Sequence, residues 1–292
     1  MNRRTFLTAA AGYAGFAAGG LGRSFGEDRD TPMKSITIRA VDSNFEREPL
    51  IRPFGFKGGY MSEIWQSAAH MTSGSGKTAV GIETQSVLWS DAGVFSAHSE
   101  SAGNALMYAM TERALRIAAG TAFTSPLELL DAVLGEVYDY GKAVTGKPDL
   151  RMTFALNALV GFDNAAWLLY AAENGFATFD DMLPPEFRPA LAHRHRSVAA
   201  IPLMAYAVPV EEIVRAVDDG YFFMKIKIGQ PGTQEEMLAK DKARLSAIHN
   251  AIGKRETRYS RDGKLPYYFD ANGRYESKET LLRLIDHADK IG

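Results

Sequence analysis

The stretch Tyr221-Phe222-Phe223-Met224-Lys225-Ile226-Lys227-Ile228-Gly229 restricts this chain more than any other. Aromatic and branched residues at this density specify a strand, and side chains on a strand alternate between its faces. Met224, Ile226 and Ile228 therefore share one face, and Phe223, Lys225 and Lys227 the other. Two ammonium groups on one face of a buried strand repel each other and lose hydration. Both effects lower a lysine pKa, as a general base near neutral pH requires. The pair taken alone is equally consistent with an exposed edge strand carrying solvated lysines.

A second run, Leu265-Pro266-Tyr267-Tyr268-Phe269-Asp270-Ala271-Asn272-Gly273, places Tyr268, Asp270 and Asn272 on a common face. Between the two runs lies a helical segment over residues 233–252. Thr233 and Glu236 form its capping box and Gly253 its stop. Strand, helix, strand predicts a parallel βαβ unit with both polar groups at the carboxyl ends of neighbouring strands, where α/β barrels carry their chemistry. Asp270 has an alternative reading as a turn aspartate, but Ser277 is better placed to cap the helix over residues 278–291.

Lys-x-Lys on one barrel strand and Asp-x-Asn on the next resemble the enolase superfamily, in its mandelate racemase and muconate lactonizing enzyme branch. The resemblance runs from about Met33 to Gly292 and looks nearest to exported L-Ala-D/L-Glu epimerase-like proteins. It implies that Lys227 abstracts a proton alpha to a carboxylate, that Lys225 neutralises that carboxylate, and that Asp270 is the first of three Mg²⁺ ligands. Asn272 would line the carboxylate and metal region. The expected function is a metal-dependent racemase or epimerase acting on a dipeptide or amino-acid derivative. A dehydratase or cycloisomerase starts from the same enolate, and an exported non-catalytic binding or structural module is the rival from another class. Removing such a weakly acidic proton makes an enolate dianion, which needs dense positive charge.

The rest of the chain fits an α/β protein with an α+β capping domain over residues 34–200 and a partial barrel over residues 201–292. Residues 35–45, 61–72 and 78–89 read as strands, the last two forming a hairpin around Ser73-Gly74-Ser75-Gly76-Lys77. Helices are expected over residues 102–119, from Ser125-Pro126-Leu127-Glu128 onward, and over residues 152–174. Phe54, Phe56, Lys57 and Tyr60 read as a mobile aromatic loop among glycines. The resemblance gives that loop a role in closing over the barrel and shaping substrate choice. The barrel segment holds strands over residues 201–207, 221–229 and 265–273, with a helix over residues 210–219 and a polar insertion over residues 254–264. These are three of an expected eight strands. The resemblance places the remaining metal ligands and the opposing acid or base on later strands, past residue 292. These residues alone are therefore expected to be inactive and to expose a parallel edge prone to association.

Other classes are excluded or disfavoured. A formal charge of −2 over 292 residues gives no electrostatic case for nucleic acid. The absence of cysteine removes disulfides, zinc–thiolate sites and thiol nucleophiles. His193-Arg194-His195-Arg196 reads as a solvated loop. Gly74-Ser75-Gly76-Lys77-Thr78 is not a phosphate loop, because Met71 stands where that motif needs glycine and a strand follows. Asn2-Arg3-Arg4-Thr5-Phe6-Leu7, then a small-residue run over residues 8–21, fits a twin-arginine signal over residues 1–22, with a linker over residues 23–33. That run is too short and glycine-rich for stable membrane insertion. The expected location is the periplasm or another extracytoplasmic space, and the expected partner is a small-molecule carboxylate substrate. Many members of the superfamily are homo-oligomers, and the resemblance extends that expectation here.

Overall fold

The computed structural model describes residues 33–56 and 59–292, the side chain of Phe56 excepted. The signal segment and nearly all of the expected linker lie outside the described residues, as does Lys57. The described chain up to Pro53, with residues 59–193, forms one compact unit. Phe54–Phe56 and residues 194–292 form a second.

In the first unit, β1 (Ile36–Phe56), β2 (Gly59–Ser73), β3 (Thr78–Gln85) and β4 (Ala122–Phe123) form a sheet of order β3-β2-β1-β4. β2 and β3 pair antiparallel from Trp65↔Gln85 to Thr72↔Thr78, and the four-residue turn between them closes by Ser73 N–H donating to Lys77 O at 2.8 Å. β1 runs eleven residues past the expected end at Phe45. Cross-strand contacts extend it where simple alternation fails: Phe45 stacks on Trp65 at 4.2 Å, and Arg47 pairs with Glu63 at 2.7 Å. The aromatic segment is therefore not a loop at Phe54, Phe56 or Tyr60. The first two end β1 and the third begins β2. The expected strand over residues 78–89 stops at Gln85, because Asn157 Oδ1 accepts from Ser86 N (2.9 Å) and Ser90 Oγ (3.0 Å) and turns the chain. Trp89 lies instead on a short helix, α1 (Val87–Ser90), followed by α2 (Ala92–Ala97).

The expected helices form as α3 (Glu100–Ala118) and α4 (Pro126–Thr145), with Ser125 accepting from Leu127 N at 3.3 Å. The segment over residues 152–174 is not one helix. It is α5 (Met152–Ala158) and α6 (Val160–Asn174), bent by 47°. Two side chains take the backbone groups that a continuous helix would pair. Thr111 Oγ1 donates to Ala158 O at 2.7 Å, and Glu83 Oε2 accepts from Gly161 N at 2.7 Å. Both halves are buried in the unit's core through Phe154, Ala158, Phe162 and Leu169. α7 (Phe179–Met182) and a 3₁₀ turn (Pro185–Phe187) follow. Among the described residues no single helix is long and apolar enough to cross a membrane.

Glu83 is 3% exposed, and burial pushes its carboxyl above the ordinary value of 4.5 despite bonds from Ser67, Gly161 N and Thr111. A carboxyl raised in the fold favours its protonated form there. Its contribution is full below 4.5 and is lost as pH rises through the raised value. Glu83→Gln is expected to flatten the decline of thermal stability with pH above 4.5. Melting curves across that range check this, and an unchanged slope contradicts it.

The second unit is a parallel sheet of order β5-β6-β7, made of β5 (Leu203–Met204), β6 (Met224–Lys227) and β7 (Tyr267–Asp270). α8 (Val210–Asp218), α9 (Gln234–Ile252) and α10 (Lys278–Ile291) connect and flank them. Register runs Leu203↔Lys225 and Lys227↔Asp270. β5 is shorter than expected; Pro202 just before it accepts from Lys225 N but has no N–H to donate. Met224, Ile226 and Ile228 pack with Ile213, Leu245 and Leu284. Thr233 and Glu236 form the capping box of α9, and Ser277 Oγ accepts from Thr280 N at 3.0 Å. The polar insertion pairs Glu256 with Lys264 in an antiparallel bridge.

Candidate active site

β6 is the central strand, so the solvated-edge reading of its lysines does not hold. Alternation puts Lys225 and Lys227 on the face opposite the core residues, at the register of Tyr268 and Asp270. Lys227 is 2% exposed along its side chain and Lys225 31%. Asp270 Oδ2 lies 2.9 Å from Lys225 Nζ and 3.0 Å from Lys227 Nζ. Lys227 Nζ also donates to Asn272 Oδ1. Asn272 has a left-handed backbone (φ 46°), which asparagine tolerates better than most residues, and its N–H donates to Asp270 Oδ1 at 3.1 Å. One carboxylate thus draws both ammonium groups and the following turn into a single cluster.

The electrostatics follow from burial and this pairing. Desolvation lowers the Lys227 pKa, Asp270 opposes the shift, and the cations Lys225 and Arg274 add to it. Burial would raise Asp270, but hydrogen bonds from Lys225 and Lys227 outweigh it and hold the carboxyl below its ordinary range. Phe54 presents its ring 5.6 Å from Lys227 Nζ, and Tyr268 its ring 5.3 Å from Lys225 Nζ. Of the four aromatic-segment candidates, Phe54 is the one brought to the lysines. Tyr60 belongs to the first unit and is 48% exposed, while Lys57 and the Phe56 side chain lie outside the described residues.

Sequence reasoning missed Arg274 and Asp241. Arg274 Nη1 donates to Gly229 O at 2.8 Å, and Asp241 accepts from the N–H of the same glycine. Asp241 carried a legible signal: it is a lone carboxylate on the apolar stripe formed by Met237, Leu238, Leu245 and Ile248.

Asp270 is the residue that the motif assigns to magnesium. Its oxygens are of the hard type this ion takes, but the ion needs about six such donors. Among the described residues no group of three or more histidine, aspartate or glutamate side chains comes together. Asp270 thus has the chemistry of one ligand, and the described residues do not complete a metal centre.

No protein-family model and no curated protein matches the sequence. Solved structures do match. A dipeptide epimerase from Enterococcus faecalis V583, complexed with Mg and L-Leu-L-Tyr, is 16% identical with a TM-score of 0.56 over 88% of this chain and 59% of its own. A mandelate racemase/muconate lactonizing enzyme-like protein from Rubrobacter xylanophilus is 18% identical, with a TM-score of 0.57 over 87% of this chain and 58% of its own. An L-talarate/galactarate dehydratase from Salmonella typhimurium LT2 is 17% identical, with a TM-score of 0.56 over 94% of this chain and 62% of its own. The chain spans about 60% of the length of the structures it matches. Its fold is similar to the corresponding part of these structures, an α+β region followed by part of an α/β barrel.

Proposed function

We propose that the protein abstracts a proton alpha to a carboxylate, with Lys227 as the base, and that its natural reaction is epimerisation of a dipeptide or amino-acid derivative. The observation that carries this reading is a buried lysine of lowered pKa, 3.0 Å from Asp270 and beside a second, more exposed lysine. A base must be neutral before it accepts a proton, and burial favours the neutral amine. Lys225, the more exposed of the two, is the one placed to meet the substrate carboxylate. Asn272 orients the Lys227 amine through its side-chain oxygen. The Phe54 ring shields that amine from water, which strengthens every charge interaction around it.

Magnesium dependence belongs to the proposal, with Asp270 as one ligand and the other oxygen donors supplied from outside the described residues. Export by the twin-arginine route is proposed on Arg3-Arg4 and the small-residue run after them. A homo-oligomeric state is proposed on the resemblance.

The test is deuterium exchange followed by NMR. The longest natural form of the protein is incubated with Mg²⁺ in D₂O and pools of dipeptides, hydroxy acids and sugar acids. Magnesium-dependent deuterium uptake at the alpha carbon of a dipeptide is the expected result. Uptake confined to hydroxy or sugar acids keeps the chemistry and rejects the epimerase. No uptake with any acid, together with no metal binding, overturns the reading in favour of a non-catalytic module.

A further inference from the structure

Two loops carry the candidate site: one leaves β6 after Lys227, and the other leaves β7 after Asp270. Both converge on a carboxylate that belongs to neither. Asp241 sits on α9, fully buried. Its Oδ2 accepts from Gly229 N at 2.6 Å and from Tyr275 OH at 2.7 Å, and its Oδ1 accepts from Gln230 N at 3.4 Å. Gly229 lies two residues after Lys227, and Tyr275 three residues after Asn272.

The same glycine is gripped from its other side, where its carbonyl accepts from Arg274 Nη1 at 2.8 Å. Its φ of +88° and the closeness of Arg274 leave no room for a side chain; a Cβ there would lie 2.9 Å from Arg274 Cβ. Gln234, on the first turn of α9, adds a second hold on the loop after β7: its Nε2 donates to Arg274 O at 3.0 Å and its Oε1 accepts from Glu276 N at 3.1 Å. Tyr275 is held as a neutral donor, its pKa pushed up by burial and by the Asp241 carboxylate. Charge-assisted bonds of this kind, buried and short, are the strong ones.

We propose that Asp241 is a positioning residue: it ties the loop after β6 to the loop after β7 and so holds Lys227 in register with Asp270 and Asn272. The catalytic part of this inference rests on the proton-abstraction reading, whereas the tie itself does not. A base displaced by about 1 Å loses on the order of a hundred-fold in rate.

Asp241→Asn and Tyr275→Phe in the full chain test it, with amide hydrogen exchange read residue by residue. In Asp241→Asn the Gly229 and Gln230 amides are expected to exchange about ten-fold faster or more, while the Met204 and Ile226 amides keep their protection. In Tyr275→Phe the accelerated amides are those of residues 273–276. With a substrate in hand, kcat for alpha-proton exchange is expected to fall by about ten- to a hundred-fold in both variants, with KM within about two-fold. Unchanged Gly229 protection in folded Asp241→Asn overturns the tie. Unchanged kcat despite a freed Gly229 amide overturns the positioning role. If Asp241→Asn does not fold, Tyr275→Phe decides alone: unchanged protection at residues 273–276 overturns the proposal. If the wild type exchanges no substrate proton, the function reading fails and the amide pattern still decides the tie.

Discussion

Gly81→Ala is expected to unfold the first unit, or to cost it about 3 kcal/mol or more. Gly81 sits on β3 where α6 crosses it backbone to backbone. A Cβ there would stand 1.9 Å from Gly161 O and 2.3 Å from Ala165 N. Neither atom is the end of a flexible side chain, so the whole helix must move. Moving α6 pulls Gly161 N from Glu83 and strips Phe162 and Leu169 from the core. Gly135→Ala is the matched control. It lies within α4 with nothing inside 4 Å of the added methyl, and it is expected to stabilise by about 0.5–1 kcal/mol. Urea unfolding followed by circular dichroism separates the two, and equal midpoints for Gly81→Ala and wild type contradict the account.

Asp270→Ala is expected to destabilise the second unit by about 3 kcal/mol at neutral pH. Lys227 is almost fully buried, and Asp270 is the carboxylate that compensates the charge of its protonated form, the state before it releases the proton to act as base. Lys225 loses the same partner but is nearly a third exposed, so water replaces much of what it gives up. Removing the charge as well as its partner should undo the damage. Lys227→Met in the Asp270→Ala background is therefore expected to recover most of the loss, since an apolar chain of similar length needs no counterion. Denaturant unfolding of the two single variants and the double variant gives the cycle. Additive losses contradict the view that these two groups form one buried unit.

Local chemistry was legible in the sequence, and long-range chemistry was not. The caps at Ser125, Thr233 and Ser277 each depend on residues two or three positions away, and each is present in the fold. The parity of β6 and β7 was equally local, so alternation put Lys225 and Lys227 on one face and Asp270 on the matching face of the next strand, while their roles came from the resemblance. The break at Leu159 was invisible because its causes, Glu83 and Thr111, lie 76 and 48 residues upstream. The continuation of β1 past Phe45 depends on Trp65 and Glu63 across the sheet. Phe54 reads from the sequence as part of a loop and reaches Lys227 from the end of a strand. Asp241 shows the intermediate case: a carboxylate on an apolar helix stripe announces a buried partner without saying which one.

The most direct measurement compares Lys227→Ala with the wild type in the magnesium-dependent exchange of substrate alpha protons for deuterium, in the longest natural form of the protein. The account predicts a loss of about a thousand-fold with the fold retained, because a general base contributes on the order of 10²–10⁴ and alanine offers no replacement. Exchange by a folded Lys227→Ala variant at the wild-type rate would contradict it and leave the Lys225–Asp270–Lys227 cluster as a structural ion pair.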